Sequence, residues 1–320
     1  MKFYTFELQT PLGITRRVGV EDKGKLVDVN FVVAYYLYRE GFSNPYEIAN
    51  SIAPPDMISF LQAGEKAIEF LKRAIIDYPE KGERGERISY NFYEVKLLSP
   101  IPRPWRIHDF MAIEEHVKNV MKRIPEEWYN IPVAYKGNPD AVIGPDDEVI
   151  WPRYTEKLDY ELELCAIIGK KGRNVELKRA EEYIFGYSIF NDFSARDIQM
   201  REMSVGLGPF KGKDFATAIG PCIVTRDSFN PYNAKMIARV NGEVWSEGYI
   251  REMKFDFPYL VHYLSLEEDI FPGDVIGSGT VGKGCGLEIN KWLKPGDIVE
   301  LEVEGIGVLR NKVVDINSIR

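Results

Sequence analysis

Cysteine and histidine are both scarce in this chain of 320 residues, with three of each. Cys165, Cys222 and Cys285 lie far apart and are odd in number, which argues against a disulfide framework and a cysteine-rich zinc site. With only His108, His116 and His262 available, any metal site must rest mainly on oxygen ligands. No apolar run approaches the roughly 20 residues that span a bilayer. The N-terminal MKFYTFELQT lacks the apolar core of a signal peptide. An excess of positive charge is also missing: the formal net charge of −8 disfavours nucleic acid and anionic membrane as partners. No period of 20–50 residues recurs, which excludes a repeat architecture. These absences lead to the expectation of a cytoplasmic protein in a reducing setting, with a small molecule as its partner.

What remains is an ordinary globular composition, long enough for one large domain and a smaller one. Residues 1–30 alternate turn signals with short apolar runs and predict a small antiparallel sheet. From about Phe31 to Asp77 the pattern turns helical, as in FVVAYYLYREGF and AGEKAIEFLKRAIIDY. The proline-containing LLSPIPRPWRIHDF, residues 97–110, reads as a seam between domains at 1–100 and 101–320. Beyond one helix at DFMAIEEHVKNVMKR, the segment from about Ile131 onward is mostly strand-like. Hairpin turns are expected at Asn241-Gly242 and Pro272-Gly273-Asp274. The fold class that follows is mainly β with some α.

Two glycine-rich stretches invite nucleotide readings and fail on detail. GSGTVG, residues 277–282, satisfies G-x-G-x-x-G, but no clean helix follows to receive a pyrophosphate. GLGPFKGKD, residues 206–214, has Leu207 and Asp214 where a P-loop needs Gly and Ser or Thr.

LDYELELC, residues 158–165, sets Asp159, Glu161 and Glu163 on one face of a predicted strand. A solvated face would explain them singly, but like charges in one row destabilise a sheet unless partners compensate. Oxygen ligands at this density suit a hard cation such as Mg²⁺ or Ca²⁺. FNDFSARDIQ, residues 190–199, places Asp192 at the end of an apolar strand, with Arg196 and Gln199 close by on a turn or short helix. In HDFMAIEEHVKN, residues 108–119, a helix would present Asp109 and His116 on one face, roughly 10 Å apart. Each has a bland reading: an Asp cap with an exposed Arg, and a satisfied core histidine.

Together, in this order, these stretches resemble the fumarylacetoacetate hydrolase family through most of residues 101–320. The resemblance implies a mixed β-sandwich roll, usually a homodimer, with a smaller β and helical N-terminal domain. It implies that Asp109, Glu161, Glu163 and Asp192 hold one divalent cation, Mg²⁺ or Ca²⁺ with Mn²⁺ also possible. His116, oriented by Glu288 in GLEI, would activate water, and Arg196, Gln199 and Lys213 would stabilise developing negative charge. Tyr135 and Thr280 would contact substrate. Asp159 falls outside this ligand set and is expected at the rim or behind the ligands. The implied reaction is hydrolysis of a C–C bond in a 1,3-diketo acid, fumarylacetoacetate- or acylpyruvate-like, through a metal-bound enolate.

Three positions depart from the family pattern: Met111 replaces a tyrosine, Pro125 an arginine, and the loop from Gln199 to Lys213 is one residue longer, with Met203 near the place of a tyrosine. They alter substrate recognition and leave the metal and base sets complete. A lyase of the same family, decarboxylating a β-keto acid or dehydrating a 2-keto-3-deoxy sugar acid, is the alternative. A non-catalytic protein holding a structural cation is the second.

Overall fold

The computed structural model describes residues 1–315 apart from residues 12 and 122. The first strands, Lys2–Thr10, Gly13–Asp22 and Lys25–Asp28, pair antiparallel in chain order, as the alternating turn signals predict. They are not a closed unit. Lys2 and Phe3 pair with Val224 and Ile223 of the strand Thr217–Thr225. The sheet thereby runs on into Ile184–Asp192, Glu163–Ile168, Val275–Gly277, Ile107–Phe110 and Ala134–Gly137, forming a 12-stranded sheet that crosses the seam at 97–110.

A second sheet orders Glu243–Gly248, Met236–Val240, Ile298–Val303, Gly307–Asp315 and Glu148–Trp151. Its first hairpin turns at Asn241 and Gly242, both with positive φ (52° and 82°), the conformation that makes Asn-Gly a preferred hairpin turn. The main core contains Leu164, Ala166 and Ile276 of the large sheet together with Met236, Ala238 and Leu301 of the second. The opposite face of the large sheet is covered by the helices Val29–Arg39, Pro45–Ile52, Met57–Ala63 and Glu65–Ala74. Asp28 and Asp56 begin the first and third of these by accepting hydrogen bonds from Phe31 N and Ser59 N. Val33, Leu37, Phe60 and Leu71 belong to the same apolar cluster as Cys165, Ile167, Phe190 and Ile223, each contributing about 2 kcal/mol by burial. The architecture is mixed, mostly sheet with some helices, and no helix among the described residues is long and apolar enough to cross a membrane.

Strand alternation now places the chemistry. Cys165 and Ile167 lie on the helix-covered face, so Glu163, two residues earlier, points the same way. Ile107 and Asp109, and Phe190 and Asp192, repeat that relation on their strands. Beyond the apolar layer, one face of one sheet therefore gathers carboxylates from three strands.

Two local expectations change. Asp109 and His116 do not share a helix: Asp109 sits in the strand Ile107–Phe110 and His116 in the helix Glu114–Val120. Register with Val275–Gly277 holds the DF pair extended, because Gly277 pairs with Asp109. The stretch 158–165 is likewise not one strand but Leu158–Asp159, then an isolated bridge from Glu161 to Cys285, then Glu163–Ile168, buried throughout.

Candidate active site

Asp109, Glu161 and Glu163 bring a carboxylate oxygen each to within 4.8 Å of one another. All three are buried, and Asp109 Oδ1 and Glu163 Oε2 have no hydrogen-bond partner. Thr280 Oγ1 donates to the other Glu163 oxygen at 3.1 Å. Space for Asp109 is made by Gly277, where a Cβ would lie 2.3 Å from Asp109 Oδ1. Gly279, at φ +79°, lets the next turn approach Phe110, whose carbonyl oxygen would be 2.4 Å from a Cβ there. Gly277 thus serves close approach to a carboxylate of the cluster, and Gly279 close approach to the backbone that follows Asp109.

Asp192 joins the cluster through shared partners. Lys213 bridges Asp192, at 2.6 Å, and Glu161, and the Tyr135 hydroxyl donates to Asp192 at 2.5 Å. Arg196 donates to Glu161 at 2.8 Å, to Gln199 at 3.0 Å and to Asp159 at 2.8 Å. Asp159 is fully buried behind Arg196, so of its two expected positions the structure shows the one behind the ligands and not the rim: the strand pairing of Asp159 with Ser194 carries it inward.

These surroundings split the carboxylates electrostatically. Burial would push Glu161 up, but Lys213 and Arg196 hold it well below the usual carboxylate range. Burial, reinforced by the neighbouring carboxylates, pushes Asp109 and Glu163 well up. Asp192 is also raised by burial, with Lys213 opposing. Five buried acids face two fixed cations, which leaves the group short of positive charge.

Beside the cluster, His116 Nδ1 lies 2.6 Å from Glu288 Oε1. Glu288 also accepts from Asn119 Nδ2 at 2.5 Å, Lys283 N at 2.8 Å and Cys285 Sγ at 3.4 Å. Burial would raise the Glu288 carboxyl, yet the bond to His116 and the other donors hold it below its ordinary value. The structure therefore brings together every sequence-predicted site residue: four acids with Lys213, Arg196, Gln199, Tyr135 and Thr280, and the His116–Glu288 pair.

Residues 106–314 match the family model for the fumarylacetoacetate (FAA) hydrolase C-terminal domain. The chain belongs to the fumarylacetoacetate hydrolase family. It is 35% identical over 266 residues to the human mitochondrial oxaloacetate tautomerase FAHD2A, covering 82% of this chain and 80% of that protein. Among solved structures, a fumarylacetoacetate hydrolase from psychrophilic Exiguobacterium antarcticum superposes with TM-score 0.73 at 27% identity, over 98% of this chain and 99% of that one. The fold is shared too with a maleylpyruvate hydrolase from Sphingobium sp. SYK-6 solved with manganese(II) ion and pyruvate. There the TM-score is 0.70 at 21% identity, over 98% and 99% of the two chains. The fumarylacetoacetate hydrolase family is thus one of enzymes, with a tautomerase and a hydrolase among the similar proteins.

The donor set of this family member fits a divalent cation. Two buried carboxylate oxygens without partners, in an all-oxygen cluster short of positive charge, are what a hard cation satisfies. Asn119 and Cys285 are functional neighbours that the sequence reading missed. Asn119 stands one helical turn after His116, and that spacing is the signal that could have found it. Cys285 carried no signal beyond its nearness to Glu288 in the chain.

Proposed function

We propose that the chain is a divalent-metal-dependent hydrolase of 1,3-diketo acids of the acylpyruvate type. The observation that supports it most is the His116–Glu288 pair standing beside the cluster of Asp109, Glu161 and Glu163. Asp109, Glu161, Glu163 and Asp192 would hold the cation, which when bound supplies Lewis acidity to the substrate's carbonyl oxygens. His116 is the general base: Glu288 accepts at Nδ1, fixing the tautomer in which Nε2 is free to take a proton from water. Asn119, the Lys283 amide and Cys285 keep Glu288 anionic, so that it stabilises the imidazolium formed in that step. The activated water attacks the carbonyl carbon, the C–C bond breaks with its electron pair delocalised into the neighbouring carbonyl, and the proton taken up by His116 is given to the departing carbon. Lys213 and the hydroxyls of Thr280 and Tyr135 are the groups placed to steady charge that develops at the cluster.

A second reading is tautomerisation of a 2-oxo dicarboxylic acid, favoured by the 35% identity to the oxaloacetate tautomerase. It uses the same base on a different proton: His116 carries it between the carbon flanked by the carbonyls and the enol oxygen, so that one bond to hydrogen breaks as the other forms.

The test is a panel of acylpyruvates, fumarylacetoacetate and enol-oxaloacetate with Mg²⁺, Mn²⁺ and Ca²⁺, followed by loss of enol absorbance and by product analysis. Pyruvate with a free carboxylic acid as products supports the hydrolase. Loss of enol absorbance with the carbon skeleton intact replaces it by the tautomerase. His116→Ala is expected to lower either rate by at least about 10²-fold while leaving Mn²⁺ binding intact. A variant turning over at the wild-type rate overturns the assignment of the base.

A further inference from the structure

Asp159 lies outside the proposed metal cluster and outside the His116–Glu288 pair, yet it touches the support of both. Its Oδ2 accepts from Arg196 Nε at 2.8 Å, and the same guanidinium reaches Glu161 at 2.8 Å through Nη2. On the other side, Oδ1 accepts the Gly286 amide at 2.7 Å and Oδ2 the Leu287 amide at 3.0 Å. Those amides open the short helix Gly286–Ile289, which carries Glu288. The approach is built for this contact. A Cβ on Gly286 would lie 2.5 Å from Asp159 Oδ1 and 2.1 Å from the Lys291 carbonyl oxygen. Asp159 is fully buried, and Arg196 is nearly so.

We infer that Asp159 is a positioning residue that couples the two halves of the site, setting Glu161 through Arg196 and Glu288 through the backbone of Gly286 and Leu287. This rests on the reading that cluster and base act together. A carboxylate suits the task because it accepts from a guanidinium and from two amides at once. A bidentate bridge between Asp159 and Glu161 is also specific to arginine, since lysine offers a point charge. Groups that orient a metal ligand or a base from behind typically govern affinity or activity by 10–100-fold.

Two measurements that need no substrate test it. One is Mn²⁺ affinity by titration calorimetry. The other is the His116 Nδ1 proton, a hydrogen-bonded resonance in ¹⁵N-histidine-labelled protein that is assigned by its loss in His116→Ala. Asp159→Asn keeps the volume but loses the charge. It is expected to weaken Mn²⁺ binding about tenfold and to broaden or shift the His116 resonance. Arg196→Lys, which leaves Asp159 in place, is expected to move the same resonance although Arg196 makes no hydrogen bond to the His116–Glu288 pair. Asp197→Asn is the control: Asp197 sits beside Arg196 on the same helix but bonds Thr155 and Glu156 instead. It should change neither readout. If Asp159→Asn binds Mn²⁺ like wild type, or leaves the resonance in place, or if Arg196→Lys leaves it in place, the coupling is refuted. An Asp197→Asn effect on both readouts equal to that of Asp159→Asn refutes it as well. If wild type turns over none of the diketo acids, the proposed reaction fails while these binding and resonance outcomes still decide the coupling.

Discussion

Replacing Glu163 by Gln should have opposite effects on the metal-free and the metal-loaded protein. Glu163 Oε2 and Asp109 Oδ1 are buried without partners in one cluster spanning at most 4.8 Å. Two unit charges at that separation repel by about 3 kcal/mol at an effective dielectric near 20. Relaxation and proton uptake relieve part of this, so about 1–3 kcal/mol is the expected gain when one charge is removed. Gln is isosteric, keeps an oxygen for the Thr280 hydroxyl and turns an N–H towards Asp109. At about 2 °C per kcal/mol for a chain of this size, the melting temperature in EDTA should rise by about 2–6 °C.

The pH dependence has a definite sign. Glu163 is an acid whose folded value lies above its ordinary 4.5, so the unfolded chain gives up its proton first as pH rises. The penalty is absent below about pH 4.5 and grows above it, and the advantage of the variant must grow with it. With Mn²⁺ the order reverses: wild type gains stability from binding, about 4 kcal/mol at a thousand times the dissociation constant, and the variant gains little. The assay is a melting series of both proteins from pH 4 to 8, with EDTA and with Mn²⁺. A variant less stable than wild type in EDTA at pH 8, or one with a full Mn²⁺-induced rise, would refute the crowded-carboxylate argument.

Other outcomes follow from the same structure. Mn²⁺ binding at about pH 5, just above the ordinary carboxylate range, should release protons from Asp109 and Glu163, seen as a calorimetric heat that varies with the ionisation enthalpy of the buffer; a buffer-independent heat there contradicts the upward direction. His108 is buried with both ring nitrogens unpartnered, and burial, reinforced by Arg106, pushes it down to about 4. Its folded value lies below its ordinary 6.5, so the protein loses stability as pH falls from about 6.5 towards 4. His108→Leu should remove that contribution and add about 1–2 kcal/mol at pH 7, measured by urea melts at pH 5 and 7. Asn119→Ala should lower kcat more than it raises KM, since Asn119 bonds Glu288 and none of the proposed metal ligands; a change confined to KM would contradict that.

The sequence carried much of this site because the chemistry clusters in short motifs. The alternation in ELEL put Glu161 and Glu163 on one side, and the DF, NDFSARD and GLEI stretches held Asp109, Asp192 with Arg196, and Glu288. What it could not carry was long-range. The spacing of Asp109 and His116 suits a helix, but pairing of Gly277 with Asp109 keeps that residue in a strand. For Asp159 the sequence leaves open both the rim and a place behind the ligands, because its partners lie 37 and 127 residues further along the chain. The N-terminal strands read as a unit of their own, since nothing in residues 1–30 announces a pairing with Ile223 and Val224.

That pairing has a consequence for anyone who trims the protein to its family segment. A chain beginning at residue 101 would keep the pairing of Thr217 and Ala218 with Val142 and Ile143 but leave the rest of Thr217–Thr225 as an open edge, with Ile219, Ile223, Phe190, Cys165, Ile167 and Val275 stripped of the helices that shield them. An exposed edge beside a wide apolar face recruits other chains. The same strands end in Glu163 and Asp192. The shortened protein should therefore be found in aggregates, and the first hundred residues are better regarded as the wall against which the carboxylates are mounted than as an appendage to them.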